Sequence, residues 1–309
     1  PPRSTLFPYT TLFRSAGNYA DLAYLVRRYA VSYQYSAAMW ALSKETKRQA
    51  HNEKALFLAA NYSLPIEKRT AQFRNPQHSL VRRALAPLQA AVEEATLLAT
   101  AFEGDLRLDR QASERQFKRE ASEYGIIHLA MHGLLDENAP HLSCLAFSED
   151  NDTAENNFLQ AYEISKMQLR AELVVLSACE TGKGNFEQAN GTASLARAFL
   201  YAGVPALVVS LWEVNDGTTA ILMELFYSNL YSGMDKARAL QEAKIEFLRQ
   251  AKGIAAHPAF WSAFIQVGDE SPISMRKNNA RYGWYFAAGA VLLSAASLGA
   301  YFLRRRKTA

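Results

Sequence analysis

The sequence predicts an α/β sandwich built on a largely parallel sheet, and three observations carry that expectation. Apolar strand-like runs alternate with segments of helical periodicity from Val31 to Arg249. The run Leu173-Val174-Val175-Leu176-Ser177-Ala178 is continuous and β-branched, the pattern of a strand buried on both faces. Of the 309 residues 49% are hydrophobic and 21% charged, which supplies a sizeable core and excludes a disordered chain.

Taken in order, Val31 to Tyr35 and Leu56 to Ala59 read as short strands. Pro87 to Phe102 follows as a helix, because Leu88, Val92, Ala95 and Ala99 recur at helical spacing. A polar helix around Ala112 to Tyr124 leads into a strand over Gly125 to Met131, and Ser143 to Phe147 reads as another strand. Beyond the Leu173 run come a helix over Ser194 to Tyr201, a strand over Pro205 to Leu211, and helices over Thr218 to Ser228 and Lys236 to Arg249. Strand alternating with helix is the pattern of crossover units, so the sheet is expected to be mostly parallel.

The chain carries a net charge of +4, but the excess sits at its end. From Glu270 onward there are seven basic residues and one acidic one, which leaves the preceding body at −2. A basic tail on a near-neutral body excludes a nucleic-acid-binding face, which would place Lys and Arg on the folded domain. Within the body, residues 121 to 269 hold 9 basic and 18 acidic side chains.

The two ends read differently from the body. The chain begins with Pro1, so upstream sequence is expected to be missing. Thr5 to Ser15 resembles the translation of a sequencing adapter, and residues 1–15 are set aside as non-biological. Tyr282 to Leu303 is 22 residues without a charge, followed by Arg304-Arg305-Arg306-Lys307. At ~1.5 Å per residue it reaches roughly 33 Å, the length of a transmembrane helix. The expected organisation is therefore a body over 16–269, a linker over 270–281, a single membrane span over 282–303 in contact with lipid, and a basic tail over 304–309. Four tight cations after the span against three looser ones before it favour a cytoplasmic tail and an extracytoplasmic body.

In open α/β sheets, sites form beyond the carboxyl ends of the strands. Two strand exits carry reactive residues: HLAMHG delivers His132-Gly133, and LSACETGKG delivers Cys179 ahead of a glycine-containing turn. A thiol that attacks a carbonyl carbon needs a base, and imidazole titrates in the useful range. It also needs oxyanion donors, which the backbone N–H groups of Gly133 and Cys179 would supply. The alternative role for Cys179 is a packed core thiol, since cysteine is among the most buried residue types. His128 lies mid-strand and reads as a packed, hydrogen-bonded core histidine, and Cys144 lies in an apolar stretch and reads as core, the alternative being a structural disulfide to Cys179 in an exported body. Two cysteines with no Cys-x-x-Cys pair exclude a disulfide scaffold, and no metal or cofactor is expected. A nucleotide-binding regulator is disfavoured because Gly182-Lys183-Gly184 lacks the spacing of a phosphate cradle.

HLAMHG, LSACETGKG, GTASLARAFLYAGVPALVVSLWEVND, MELFYSNLYSG and HPAFWSAFIQVGD follow one another in order. Together they resemble the CHAT domain, a caspase- and separase-like member of a clan of cysteine peptidases, from about Asp21 to Asp269. The resemblance implies a caspase-like α/β/α sandwich, with His132 as general base and Cys179 as nucleophile. It also implies upstream tetratricopeptide repeats in a full-length protein. Met131 departs from the family's usual threonine, and Asn190 from a common glutamate. LWEVND is similar to the separase segment whose last aspartate pairs with a substrate arginine, which falls on Asp216. The competing role for Asp216 is N-cap of the helix near Thr218. The expected function is a membrane-anchored cysteine endopeptidase that acts on a protein or peptide and cuts after a basic residue. The rival is a non-catalytic interaction module on the same fold.

Overall fold

The computed structural model describes residues 19–38, 40–41, 53–60, 62, 85, 87–136, 138–150, 155–177, 189–212 and 216–277. Its centre is a seven-stranded sheet made from β1 (Ser32–Tyr33), β2 (Ala55–Ala59), β3 (Gly104–Leu108), β4 (Ile126–Ala130), β8 (Leu173–Leu176), β9 (Ala206–Ser210) and β10 (Phe264–Gly268), in the order β1-β10-β9-β8-β4-β2-β3. From β9 to β3 every neighbouring pair is parallel. Only β10 reverses, antiparallel to β9, with β1 joined parallel to it at the edge. The mostly parallel sheet is as expected from the unbroken apolar runs, whose residues are buried on both faces.

Strand alternation divides the core into two. One apolar cluster takes Leu56, Leu58, Ile127, Leu129, Val174, Leu176, Leu207 and Val209 from the sheet. It is covered by α2 (Glu114–Glu120), α3 (Ala161–Ile164) and α4 (Ala189–Tyr201). The other takes Ala55, Phe57, Ala59, Ile126, Ala130, Leu173, Val175 and Val208. It is covered by α1 (Gln89–Ala101), α5 (Asp216–Tyr231), α6 (Lys236–Gln250) and α7 (Pro258–Trp261). This is the sandwich that a sheet buried on both sides requires.

Local chemistry fixes the ends. Ser113 accepts a hydrogen bond from the Gln116 N–H at 3.3 Å and so caps α2, and Asp235 accepts from the Arg238 N–H at 2.8 Å and caps α6. Gly268 ends β10 at φ +91°, where a Cβ would run into the Pro205 carbonyl, so only glycine fits. A second, three-stranded antiparallel sheet, β5 (Gly133–Leu134), β6 (Cys144–Ala146) and β7 (Phe158–Gln160), grows from the exit of β4.

The polar segment after β10 is partly docked. The Lys236 ammonium donates to the Ser271 carbonyl at 2.6 Å, Ile273 is buried, and the Glu103 N–H donates to the Arg276 carbonyl at 2.8 Å. Residues 278–309, which include the expected span over 282–303 and tail over 304–309, lie outside the described residues. Among the described residues no helix is long and apolar enough to cross a membrane. Residues 1–18 also lie outside them, and with them the segment read as an adapter.

Candidate active site

β4 and β8 are parallel neighbours, with Ile126 opposite Leu173 and Leu129 opposite Leu176. The Ser177 N–H continues the ladder beyond β8 by donating to the Leu129 carbonyl at 3.1 Å. Both strands therefore release their chains side by side at the same end of the sheet, β4 toward His132 and β8 toward Cys179. Cys179 itself lies outside the described residues.

His132 sits two residues past β4 and is 2% exposed. Its backbone is gripped on both sides. The Ala146 N–H of β6 donates to the His132 carbonyl at 2.9 Å, while the His132 N–H donates to the Tyr62 hydroxyl at 3.2 Å. That hydroxyl in turn donates to the Ala146 carbonyl. Tyr62 thus stands where a direct ladder bond between His132 and Ala146 would otherwise form. Its ring also stacks beside the imidazole, with centroids 4.8 Å apart and planes 34° from one another. Nothing in the sequence around Tyr62 points to this role; its partner is 70 residues away.

Gly133 is buried and opens β5 opposite Leu145. Met131, the departure next to the base, is fully buried in the first apolar cluster, where its side chain packs as core. Cys144 is buried in β6 and belongs to the same cluster, as a core reading requires. Asp216 is the first residue of α5, and its side chain lies outside the described residues. The chain that leads to it leaves β9 through Leu211, whose N–H donates to the Ala263 carbonyl at 3.0 Å, and Trp212, whose indole donates to the Ala259 carbonyl at 3.0 Å.

His128, four residues earlier and inside β4, is fully buried and hydrogen-bonded as expected of a core histidine: its Nδ1 lies 3.2 Å from the Tyr227 hydroxyl. Its Nε2 lies 3.1 Å from Glu94 Oε1, with no hydrogen bond between them. Glu94 comes from α1 and is 3% exposed, and its Oε2 accepts a hydrogen bond from the Ser177 hydroxyl at 3.3 Å. Burial, and then the charge of Glu94, push the Tyr227 hydroxyl well above the ordinary tyrosine range. The sequence reading missed Glu94, Tyr227 and Ser177, because a glutamate inside a helix carries no local sign of burial.

A second buried carboxylate lies on the other face. Glu114, Glu155 and Glu163 converge closely enough to hold a cation. The Lys118 ammonium already meets all three, at 2.6, 2.8 and 3.1 Å, so a side chain of the protein fills that role. Burial, with Glu155 and Glu163 close by, pushes the Glu114 carboxyl up to about 7 despite Lys118.

Fold and register together define an α/β domain with a mostly parallel sheet in which two adjacent parallel strands, β4 and β8, end side by side. The CHAT domain family model matches residues 4–269, and the chain belongs to that family. The match begins inside the segment that the sequence reading sets aside as an adapter. Tetratricopeptide repeat protein 28 of Homo sapiens is 33% identical over 112 residues, and that of Mus musculus 32%, in each case covering 36% of this chain. The aligned part is about 4% of those relatives' length. Among solved structures, the chain resembles parts of two Saccharomyces cerevisiae separase–securin complexes, with TM-scores of 0.42 and 0.39 and identities of 13% and 10%. Each alignment covers 77% of this chain and 13% of the other.

Proposed function

We propose that this chain is a cysteine endopeptidase in which Cys179 is the nucleophile and His132 the base. The observation that supports it is the β4–β8 register: His132 follows Leu129, and Cys179 follows its paired Leu176, by the same number of residues. His132 takes the thiol proton as sulfur attacks the peptide carbonyl, then gives that proton to the departing amine. Water, deprotonated by the same imidazole, hydrolyses the thioester and returns the free thiol.

The tetrahedral oxyanion is held by the N–H groups of Gly133 and Cys179. In an antiparallel ladder bonded and non-bonded pairs alternate, and His132 with Ala146 forms a bonded pair. The next pair, Gly133 with Leu145, is then a non-bonded one, which turns the Gly133 N–H away from β6 and supports its use as a donor. Asp216 supplies the substrate pocket and selects arginine, whose guanidinium can grip one carboxylate with two hydrogen bonds. Residues 282–303 anchor the domain in a membrane, with the body on the extracytoplasmic side.

A peptide library with an electrophilic thiol probe tests this reading, with Cys179→Ala as control. Labelling of Cys179 together with cleavage after Arg is expected, and Asp216→Asn should depress turnover of Arg substrates selectively. A Cys179→Ala chain with unchanged biological output would instead favour an interaction module.

A further inference from the structure

We propose that Glu94 is a positioning residue for the nucleophile, acting through Ser177 from a buried relay that ties the cysteine strand to the centre of the fold; this rests on the peptidase reading above. The relay joins four elements. Tyr227 of α5 meets His128 Nδ1 at 3.2 Å, His128 Nε2 of β4 lies 3.1 Å from Glu94 Oε1 of α1, and Glu94 Oε2 accepts from the Ser177 hydroxyl at 3.3 Å just past β8. None of the four is more than 5% exposed.

Burying a carboxylate is costly unless it is paired, and replacing such a pair by apolar residues is often neutral or stabilising. Stability alone therefore gives no reason to keep Glu94 in an otherwise apolar cluster. Its location does give one. Side chains alternate along a strand, so His128 and Ser177 both face α1 and α5, with Ser177 one step nearer the exit. Ser177 is the last described residue before Cys179, which follows two positions on in the sequence. A hydroxyl fixed from below and an N–H fixed from the side, to Leu129, leave that residue little freedom to rotate or slide.

The carboxylate itself is held in place. The Ser177 hydroxyl bonds Oε2, Oε1 lies against His128 Nε2, and Tyr227 meets the imidazole from behind. The polar groups shown around the carboxylate are thus a histidine from β4 and a serine beside β8, with a tyrosine from α5 behind the histidine. A misplacement of about 1 Å in a reacting group can cost 10²-fold in rate, so a lock at this point is worth its burial.

The test uses the full chain with a peptide substrate, alongside the rate at which iodoacetamide alkylates Cys179. Ser177→Ala should lower kcat and the alkylation rate about tenfold with KM unchanged, and Ser177→Thr, which keeps the hydroxyl, should restore both. Glu94→Gln should lower kcat similarly, and the double variant should be no worse than the more damaged single one, because both act through one bond. If Glu94→Gln does not fold, the Ser177 pair carries the test. An active wild type whose Ser177→Ala variant keeps wild-type kcat and alkylation overturns the positioning role alone. A wild-type Cys179 no more reactive than Cys144 overturns it together with the peptidase reading.

Discussion

Two histidines four residues apart, one inside β4 and one past its end, are used in opposite ways. His128 is held by its side chain, both ring nitrogens facing buried partners on α1 and α5. His132 is held by its backbone, between Ala146 and Tyr62, with the ring stacked on Tyr62. The difference follows from where β4 ends. Inside the strand both backbone groups belong to the ladder, so only the side chain can take a role, and low dielectric then requires that it be satisfied. Beyond the strand the backbone needs new partners, and the clamp between Ala146 and Tyr62 places the imidazole through the main chain.

The largest expected effect sharpens that contrast. His132→Ala should cut the cleavage rate at least ~10²-fold, the usual worth of a general base, while thermal stability changes little because the backbone clamp remains. His128→Ala should do the reverse. It removes a fully buried side chain that meets the Tyr227 hydroxyl and Glu94, which costs about 1–3 kcal/mol and should show as a lower denaturant midpoint. Its folded fraction should lose no more than about tenfold in kcat, through the Glu94 link alone. A stable but inactive His128→Ala chain would exchange the two assignments.

Tyr62→Phe comes next. It keeps the stacked ring but removes the hydroxyl that serves both the His132 N–H and the Ala146 carbonyl. Two buried backbone groups lose a partner, so a loss of about 1–3 kcal/mol in unfolding free energy is expected. The rate should fall with the same variant if the backbone clamp fixes the base. Unchanged stability and rate would mean that β6 alone holds His132.

Much of this frame was legible from local pattern. The strands at Leu56, Gly125, Leu173 and Pro205 and the five longer helices, α1, α2, α4, α5 and α6, fall where apolar runs and helical spacing put them, whereas the four-residue α3 and α7 carry no such pattern. β3 was not legible: Gly104–Leu108 is an edge strand, half-buried along its length, with Asp105 and Arg107 paired to Lys54 and Glu120, so it lacks an apolar run. Short β7 and the strand at Phe264–Gly268 were likewise not assigned as strands. The His132 exit was found because strand and histidine adjoin in sequence. Its supports, Tyr62, Glu94 and Tyr227, were missed because their contacts span 70, 83 and 99 residues, and no periodicity reports a contact made only after the sheet has formed.

The smallest expected effect extends the comparison from two histidines to two buried carboxylates. Glu94 faces His128, whereas Glu114 faces one ammonium shared with Glu155 and Glu163. Three carboxylates around one lysine leave excess negative charge, and burial raises the Glu114 carboxyl from 4.5 to about 7. The native state therefore holds this proton more tightly than the unfolded chain does. The stability it contributes is fully present below pH 4.5 and is lost as pH rises through about 7. Other groups also titrate over this range, so the informative quantity is the difference between wild type and Glu114→Gln. That difference should be small at pH 5 and grow toward pH 8, where the variant's melting midpoint should be the higher by about 2–4 °C, the shift that roughly 1 kcal/mol makes in a domain of this size. A constant difference between the two curves would mean that Lys118 keeps Glu114 ionised throughout.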